Sequence, residues 1–418
     1  MAIDGCSTMF SRSEAKGGFF DNMSVARMEE EISKRLKRFQ DELSAHGVDG
    51  ALVVQKIDLY YFTGTDQDAH LWVPAKGLPL LMVRKSLERA VKDAVTKQIV
   101  PLKRFSQIPE HIRSNGGTRG LDRIGLEMDV LPANRYLTYQ RLFPETEFVD
   151  VSLSIRETRM IKSAHEISLI TAAARMADAT YERVPGFLRE SEREIDLTSR
   201  MEACYRRLGH PGVVPTRGFN HESIYGQIMA GKGAAMASNS AGPLGGKGLG
   251  PFFSQGASMD RIEPHAPILI DYAANVEGYI ADQTRIFSKG KLDQTLVQAH
   301  GAALRIQDAL SQEGRPGVTA ESLYDLALEI AEAAGLADRF MGYPDPVPFV
   351  GHGVGLELDE LPIIGRGINT LLAEGMVIAL EPKFVFPGQG VVGIENTFVV
   401  AQDGMKKLNR FPDAIRVC

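Results

Sequence analysis

Apolar positions recur at spacings of three and four from residue 24 onward. Val25, Met28, Ile32, Leu36, Phe39 and Leu43 share one face of a predicted helix. Gly47 follows as a left-handed cap. Continuous apolar runs predict buried strands at Ala51–Val54, Leu78–Val83 and Ile124–Glu127, with helical stretches near Leu87–Val95 and Pro132–Phe143. This alternation over residues 24–150 predicts a small α/β domain. After a break at about Ser152–Ser163, two capping boxes, Ser163-x-x-Glu166 and Ser191-x-x-Glu194, open helical patterns. Further helices are expected near Leu292–Gln312 and Ala320–Ala334. Strand-like runs stand at Ile268–Tyr272, Met376–Ala379, Val391–Ile394 and Thr397–Val400. Strands and helices here fall in blocks, so this half reads as α+β. The expected organisation is a leader without order over 1–22, an N-terminal domain over 23–155 and a second domain over 156–418.

The segment Gly226–Gly256 is rich in Gly, Ala and Ser without periodicity and is expected to be largely loop. Its Gly226-x-x-x-x-Gly231-Lys232 run superficially matches a phosphate-cradling loop. Gly233 stands where Ser or Thr would hold Mg²⁺, and no strand–loop–helix context is evident, so nucleotide binding is set aside.

Composition narrows the field. The 418 residues are 44% hydrophobic and 24% charged, an ordinary soluble globular balance. Lys and Arg number 47 against 53 Asp and Glu, a net of −6, which argues against nucleic-acid binding. No apolar run approaches the ~18–20 residues that span a bilayer, so no membrane segment is expected. Cys6, Cys204 and Cys418 are too scattered for a disulfide framework or a CxxC metal site, and a reducing, cytoplasmic setting fits them.

The chemistry concentrates in four short segments. ILIDYAANVEGYIADQTRIF carries Asp271 and Asp282, FVGHGVGLELDELP carries His352, VIALEPKF carries Glu381, and VVGIENTFVV carries Glu395. A carboxylate at the end of a buried strand is costly unless compensated. Four carboxylates and an imidazole gathered together require cations, and two divalent ions (Mn, Co, Fe or Zn) suit hard oxygen donors with one imidazole. Taken singly, each acid reads more often as a solvated surface group, and His352 equally as a turn residue; the joint pattern is what points to metal.

That pattern resembles the pita-bread metallopeptidases: methionine aminopeptidases, aminopeptidase P, prolidase and creatinase-like relatives. YYFTG (Tyr60–Gly64) is similar to their creatinase-type N-terminal domain, and RMIKSAHEISLI (Arg159–Ile170) to the entry helix of the catalytic domain. Asp271 and Asp282, followed by HGVGLE, EP and IEN, are similar to the five-ligand signature. The resemblance implies that Asp271 chelates one metal, that Asp282 and Glu395 bridge two, and that His352 with Glu381 completes the second. Thr284 would support a ligand through its hydroxyl, as alternation along a strand also allows. Two ions ~3.5–4 Å apart would acidify a water between them and polarise a carbonyl oxygen, and Glu381 would shuttle the proton to a leaving amine. A homodimer is implied as well.

The surroundings depart from the family. Asp359 stands where these peptidases carry a histidine, Pro348 where prolidase-like members often have another, and Gly393 where an arginine is common. A further histidine usually precedes the first Asp, yet none lies between His221 and His265. Asp359 reads either as an exposed charge in the acidic run Glu357–Glu360 or as a base beside the metals; related dimethylsulfoniopropionate lyases use an aspartate in this segment, one position nearer the metal histidine. His210 and His221 read as structural or as substitutes for the missing histidines. In TDQDAHLWVP, His70 and Trp72 are candidates to reach a partner subunit's active site, with a core tryptophan as the alternative. The expected activity is hydrolysis of a short peptide by an Xaa-Pro dipeptidase- or aminopeptidase-type enzyme. The alternatives are an amidinohydrolase or lyase acting on a small non-peptide substrate, and a catalytically dead binding module.

Overall fold

The computed structural model describes residues 25–116, 121–219 and 225–418. The expected leader at 1–22, and His221, lie outside these. The described chain forms two compact units, one running to Arg159 and taking in Arg217, the other running from Met160 to Thr216 and resuming after His221. The return of Arg217 to the first unit is absent from the sequence reading.

The N-terminal unit is built on a mixed six-stranded sheet of β1 (Gly50–Val53), β2 (Ala69–Pro74), β3 (Leu80–Val83), β4 (Gln98–Pro101), β5 (Arg123–Leu126) and β6 (Glu147–Asp150). Its order is β4-β3-β2-β1-β5-β6. The opening helix, Val25–Ala45, buries Ile32, Leu36, Phe39 and Leu43, as its spacing predicts. A second helix, Lys56–Thr63, covers YYFT and ends on Gly64 in the left-handed region (φ 83°). Every residue of β2 is buried, as expected for a strand inside a sheet with both faces covered. Trp72 and Leu52 sit in one core cluster with Ile124 and Tyr139.

A buried ionic knot ties this unit's end to its middle. Asp58, fully buried, accepts from Arg159 Nη1 (2.6 Å) and Arg217 Nη1 (2.7 Å), and Arg217 also holds Asp129 in a two-point pair at 2.6 and 3.0 Å.

The second unit is α+β. Helix Ala164–Tyr181 starts from the predicted box: Ser163 Oγ accepts from Glu166 N, and Glu166 accepts from Ser163 N. The second predicted box is not formed. Ser191 turns its hydroxyl back to Phe187 O (2.8 Å), Asp196 accepts from Arg193 N (2.9 Å), and helix Glu194–Arg207 begins there. Glu194 is drawn instead to Ala230 N (2.6 Å) and Ser258 N (2.7 Å).

The strands of this unit are β7 (Gly226–Ala230), β8 (Pro267–Tyr272), β9 (Ala274–Val276), β10 (Tyr279–Ala281), β11 (Thr284–Ser288), β12 (Phe349–Gly353), β13 (Glu360–Gly365), β14 (Val377–Leu380), β15 (Lys383–Phe386), β16 (Gly390–Gly393), β17 (Asn396–Ala401), β18 (Gly404–Lys407) and β19 (Arg416–Val417). They form a four-stranded sheet β19-β11-β8-β7, a five-stranded sheet β13-β12-β14-β17-β18, and the hairpins β9–β10 and β15–β16. Helices Gln294–Glu313 and Ala320–Ala333 pack their apolar faces on the core formed with Ile378, Leu380, Phe384 and Ile394. The start of the Gly-rich segment is strand rather than loop: β7 pairs antiparallel with β8 from Gly226↔Tyr272 to Ala230↔Ile268. Gly226 is what permits this, since a Cβ there would lie 2.1 Å from the Tyr272 ring. Among the described residues no helix is long and apolar enough to cross a membrane.

Candidate metal centre

The two sheets of the second unit deliver the acidic residues to one place. In the first, Thr284 of β11 lies opposite Asp271 of β8, so their side chains leave the same face. Asp282 lies two residues before Thr284, between β10 and β11. In the second, His352 of β12 pairs with Ala379 of β14, Glu381 follows the end of β14, and Glu395 precedes the start of β17. The sheets are stitched where Thr284 and Glu395 exchange backbone hydrogen bonds, 3.3 Å each way. Sequence positions far apart thereby converge because four strand ends meet.

Ligand atoms of Asp282, His352 and Glu395 all lie within 4.8 Å of one another, and all three residues are buried. His352 Nε2 is 3.7 Å from Glu381 Oε1 and 3.9 Å from Glu395 Oε1. Thr284 Oγ1 donates to Glu395 Oε2 at 2.8 Å. Asp282 is fixed on its backbone side, its N–H donating to Thr397 Oγ1 (2.9 Å) and its carbonyl accepting from the same hydroxyl (3.0 Å). Arg285, buried, donates to the backbone oxygens of Thr284 and Glu395, each at 2.8 Å, and so locks the stitch from behind.

Asp271 joins the group through a residue that the sequence reading passed over. Lys383 Nζ donates to Glu381 Oε2 (2.6 Å), Glu395 Oε2 (2.9 Å) and Asp271 Oδ2 (3.4 Å), and its side chain is 1% exposed. A signal was present: VIALEPKFVF sets a lysine within an apolar run, and a buried ammonium needs an anion.

The charges are unbalanced. Burial, with repulsion from Glu395 and Glu381, raises Asp271 to about 7 against the pull of Lys383. Burial and the Glu395 and Asp271 charges push Asp282 well above the ordinary carboxylate range. Burial works against Glu395 too, but Lys383 and His352 hold it low. Burial opposes the charge on His352, and Asp359, Glu381 and Glu395 outweigh it, so its pKa is raised. One ammonium does not satisfy four carboxylates, and the donor set of two oxygen acids and an imidazole around Asp282 is that of a divalent-cation site.

The remaining candidates fall elsewhere. Asp359 Oδ1 lies 3.7 Å from His352 Nδ1 with its side chain 44% exposed. The run around it is not solvated throughout: Glu357 and Glu360 are buried, and Glu360 pairs with Lys162 Nζ at 2.9 Å. His210 has both ring nitrogens engaged, Nδ1 accepting from Gly212 N (2.9 Å) and Nε2 against Ala273 O (3.1 Å), so its place is structural. His70 and Trp72 belong to the interior of the N-terminal unit, at 3% and 1% exposure, with His70 Nε2 bonded to Tyr139 OH at 2.8 Å. Neither is presented for a partner's site, because AHLWVP is a wholly buried strand and not a loop.

The profile of metallopeptidase family M24 matches residues 168–402, and that of the creatinase/prolidase N-terminal domain matches residues 35–161. The chain is 27% identical over 384 residues to an Xaa-Pro dipeptidase of Pyrococcus furiosus, covering 92% of this chain and 98% of that one. It is 26% identical to an Xaa-Pro dipeptidase of Lactobacillus delbrueckii subsp. lactis, covering 91% of this chain and 98% of the relative. Among solved structures it superposes on an Xaa-Pro dipeptidase from Bacillus anthracis with a TM-score of 0.79 at 22% identity, covering 93% of this chain and all (100%) of that one. It also superposes on the prolidase from Pyrococcus furiosus with a TM-score of 0.71 at 25% identity, covering 89% and 99%.

Proposed function

The chain belongs to metallopeptidase family M24, and from that premise we propose that it hydrolyses the peptide bond of short Xaa-Pro substrates with divalent cations held by Asp271, Asp282, His352, Glu381 and Glu395. The observation that carries the reading is that ligand atoms of the buried Asp282, His352 and Glu395 lie within 4.8 Å of one another. Bound there, a divalent cation supplies a water acidified toward neutral pH and a Lewis acid for the scissile carbonyl.

The protein's own part is to hold and move protons. Glu381 is raised chiefly by burial, the direction that suits a carrier working near neutral pH, and its Oε1 faces the His352 side. It accepts the proton of the attacking water and passes it to the departing amine. Thr284 and Arg285 keep Glu395 in place while charge shifts around it. Asp359 borders His352 from the open side and can accept a proton or meet a cationic substrate group. We read the enzyme as a cytoplasmic homodimer. Its free Cys204 and Cys418 accord with a reducing compartment, and light scattering tests the dimer.

A second reading, an amidinohydrolase or lyase acting on a small non-peptide substrate over the same cations, is favoured by Asp359, a carboxylate where the peptidases carry an imidazole. Assay of the Mn²⁺- or Co²⁺-loaded protein on Xaa-Pro dipeptides and longer Xaa-Pro peptides separates the two. Release of the N-terminal residue supports the peptidase. Bound metal with no turnover on the whole panel rejects it in favour of the second reading.

A further inference from the structure

We propose that the ammonium of Lys383 stands in for one of the two cations, so that the centre takes a single divalent ion, on Asp282, His352, Glu381 and Glu395. This deepens the reading above and rests on it, since both require the pocket to bind a divalent cation.

The argument begins with how each glutamate divides its oxygens. Glu381 Oε2 and Glu395 Oε2 accept from Lys383 Nζ at 2.6 and 2.9 Å, and Asp271 Oδ2 completes the set at 3.4 Å. Three carboxylates meet the three N–H groups of an ammonium. The opposite oxygens, Glu381 Oε1 and Glu395 Oε1, face His352 Nε2 at 3.7 and 3.9 Å, on the side where Asp282 also lies. A metal ion shared by Asp271 and Glu395 has to lie about 2.0–2.2 Å from their oxygens. Those oxygens already bond a nitrogen between them, and one volume does not hold both. The ammonium fills the Asp271 side; the His352 side keeps the geometry for a cation.

The path of the lysine is built into the strand pair. Lys383 of β15 lies opposite Gly393 of β16. A Cβ at Gly393 would approach Lys383 Cγ to 2.8 Å and Pro382 O to 2.6 Å, so the absence of a side chain at 393 is what leaves room for the stem. The lysine is flanked by Pro382 and Phe384, both buried, and a charge so deep is stable only against anions.

The test counts ions. The full-length protein is saturated with Mn²⁺, desalted, and examined by elemental analysis and electron paramagnetic resonance. The expected result is one Mn²⁺ per chain with the six-line spectrum of an isolated ion. Lys383→Gly, which opens the space opposite Gly393, is expected to take up two and to show a spin-coupled pair. Two ions per wild-type chain with a coupled spectrum overturn the inference and leave the metal-dependent reading standing. One ion on both proteins also overturns it, because the lysine would then not be what excludes the second. No ion on either overturns the inference together with the reading beneath it. Should Lys383→Gly fail to fold, the wild-type count and spectrum decide alone.

Discussion

Replacing Thr284 with valine removes one hydroxyl from a fully buried position, where it also favours the charged form of the facing Asp271. The backbone stitch between Thr284 and Glu395 survives, since it uses only N–H and C=O groups. What is lost is the 2.8 Å hydrogen bond to Glu395 Oε2. A hydrogen bond to a charged group contributes about 1.5–3 kcal/mol. The same oxygen keeps its contact with Lys383 at 2.9 Å and is not orphaned, which places the cost at the lower end, about 1.5 kcal/mol. At 1.36 kcal/mol per tenfold, that is roughly a tenfold loss if it falls on cation binding. The substitution also removes an orienting partner from a ligand, a change that typically costs about 10–100-fold in affinity. Titration of Mn²⁺ by isothermal calorimetry is expected to show Kd rising about tenfold. An affinity within twofold of wild type, in a protein shown to be folded, refutes the argument that this hydroxyl holds Glu395 for the cation.

Three further outcomes are expected. Burial lowers His70 to about 3, so the unfolded chain takes up a proton that the folded one refuses; stability from this residue is present above about pH 6.5 and falls as pH drops toward 3. His70→Gln should flatten the decline of urea-measured stability between about pH 6 and 4 relative to wild type, and an unchanged slope rejects the assignment. Asp359→Asn, at a half-buried position beside His352, should leave stability within about 1 kcal/mol and bound metal unchanged while lowering kcat about 100-fold; a rate within threefold of wild type removes Asp359 from proton transfer. Asp58→Asn withdraws the anion between Arg159 and Arg217 and should cost the N-terminal unit about 3 kcal/mol, read by urea unfolding, whereas a loss below about 1 kcal/mol contradicts a buried pairing.

The candidate centre was legible where residue identity alone suggests the chemistry. Asp271, Asp282, His352, Glu381 and Glu395 end or border apolar strands, and acids in such places need a cation whatever the register. The first helix was equally plain, because its spacing directly encodes the face that Ile32 and Leu36 bury. Features that depend on a distant partner were not. AHLWVP lacks alternation because both faces of β2 are covered, so its period did not mark it as a strand. GQIMA reads as flexible until Tyr272 is placed across from Gly226. Ser191 and Glu194 match a capping box, yet Asp196 accepts the backbone N–H of Arg193 instead, and Glu194 is claimed by Ala230 and Ser258.

Lys383 and Gly393 show why such pairs escape a linear reading. Along the chain they are separate oddities, a lysine in an apolar run and a glycine where related peptidases commonly carry arginine. In the β15–β16 register they face each other, and the space vacated at one position is occupied by the stem from the other. This filling of the hairpin brings the Lys383 ammonium to Asp271, Glu381 and Glu395 from within the chain. The departure at Asp359 stands apart, since it lies on the far side of His352, toward Nδ1, and does not contact the lysine. On the proposed reading the two residues bear on different things, Lys383 on how many ions the centre takes and Asp359 on what can bind beside His352. Metal count and substrate choice should accordingly separate by mutation, with Lys383→Gly changing the first and Asp359→Asn leaving it unchanged.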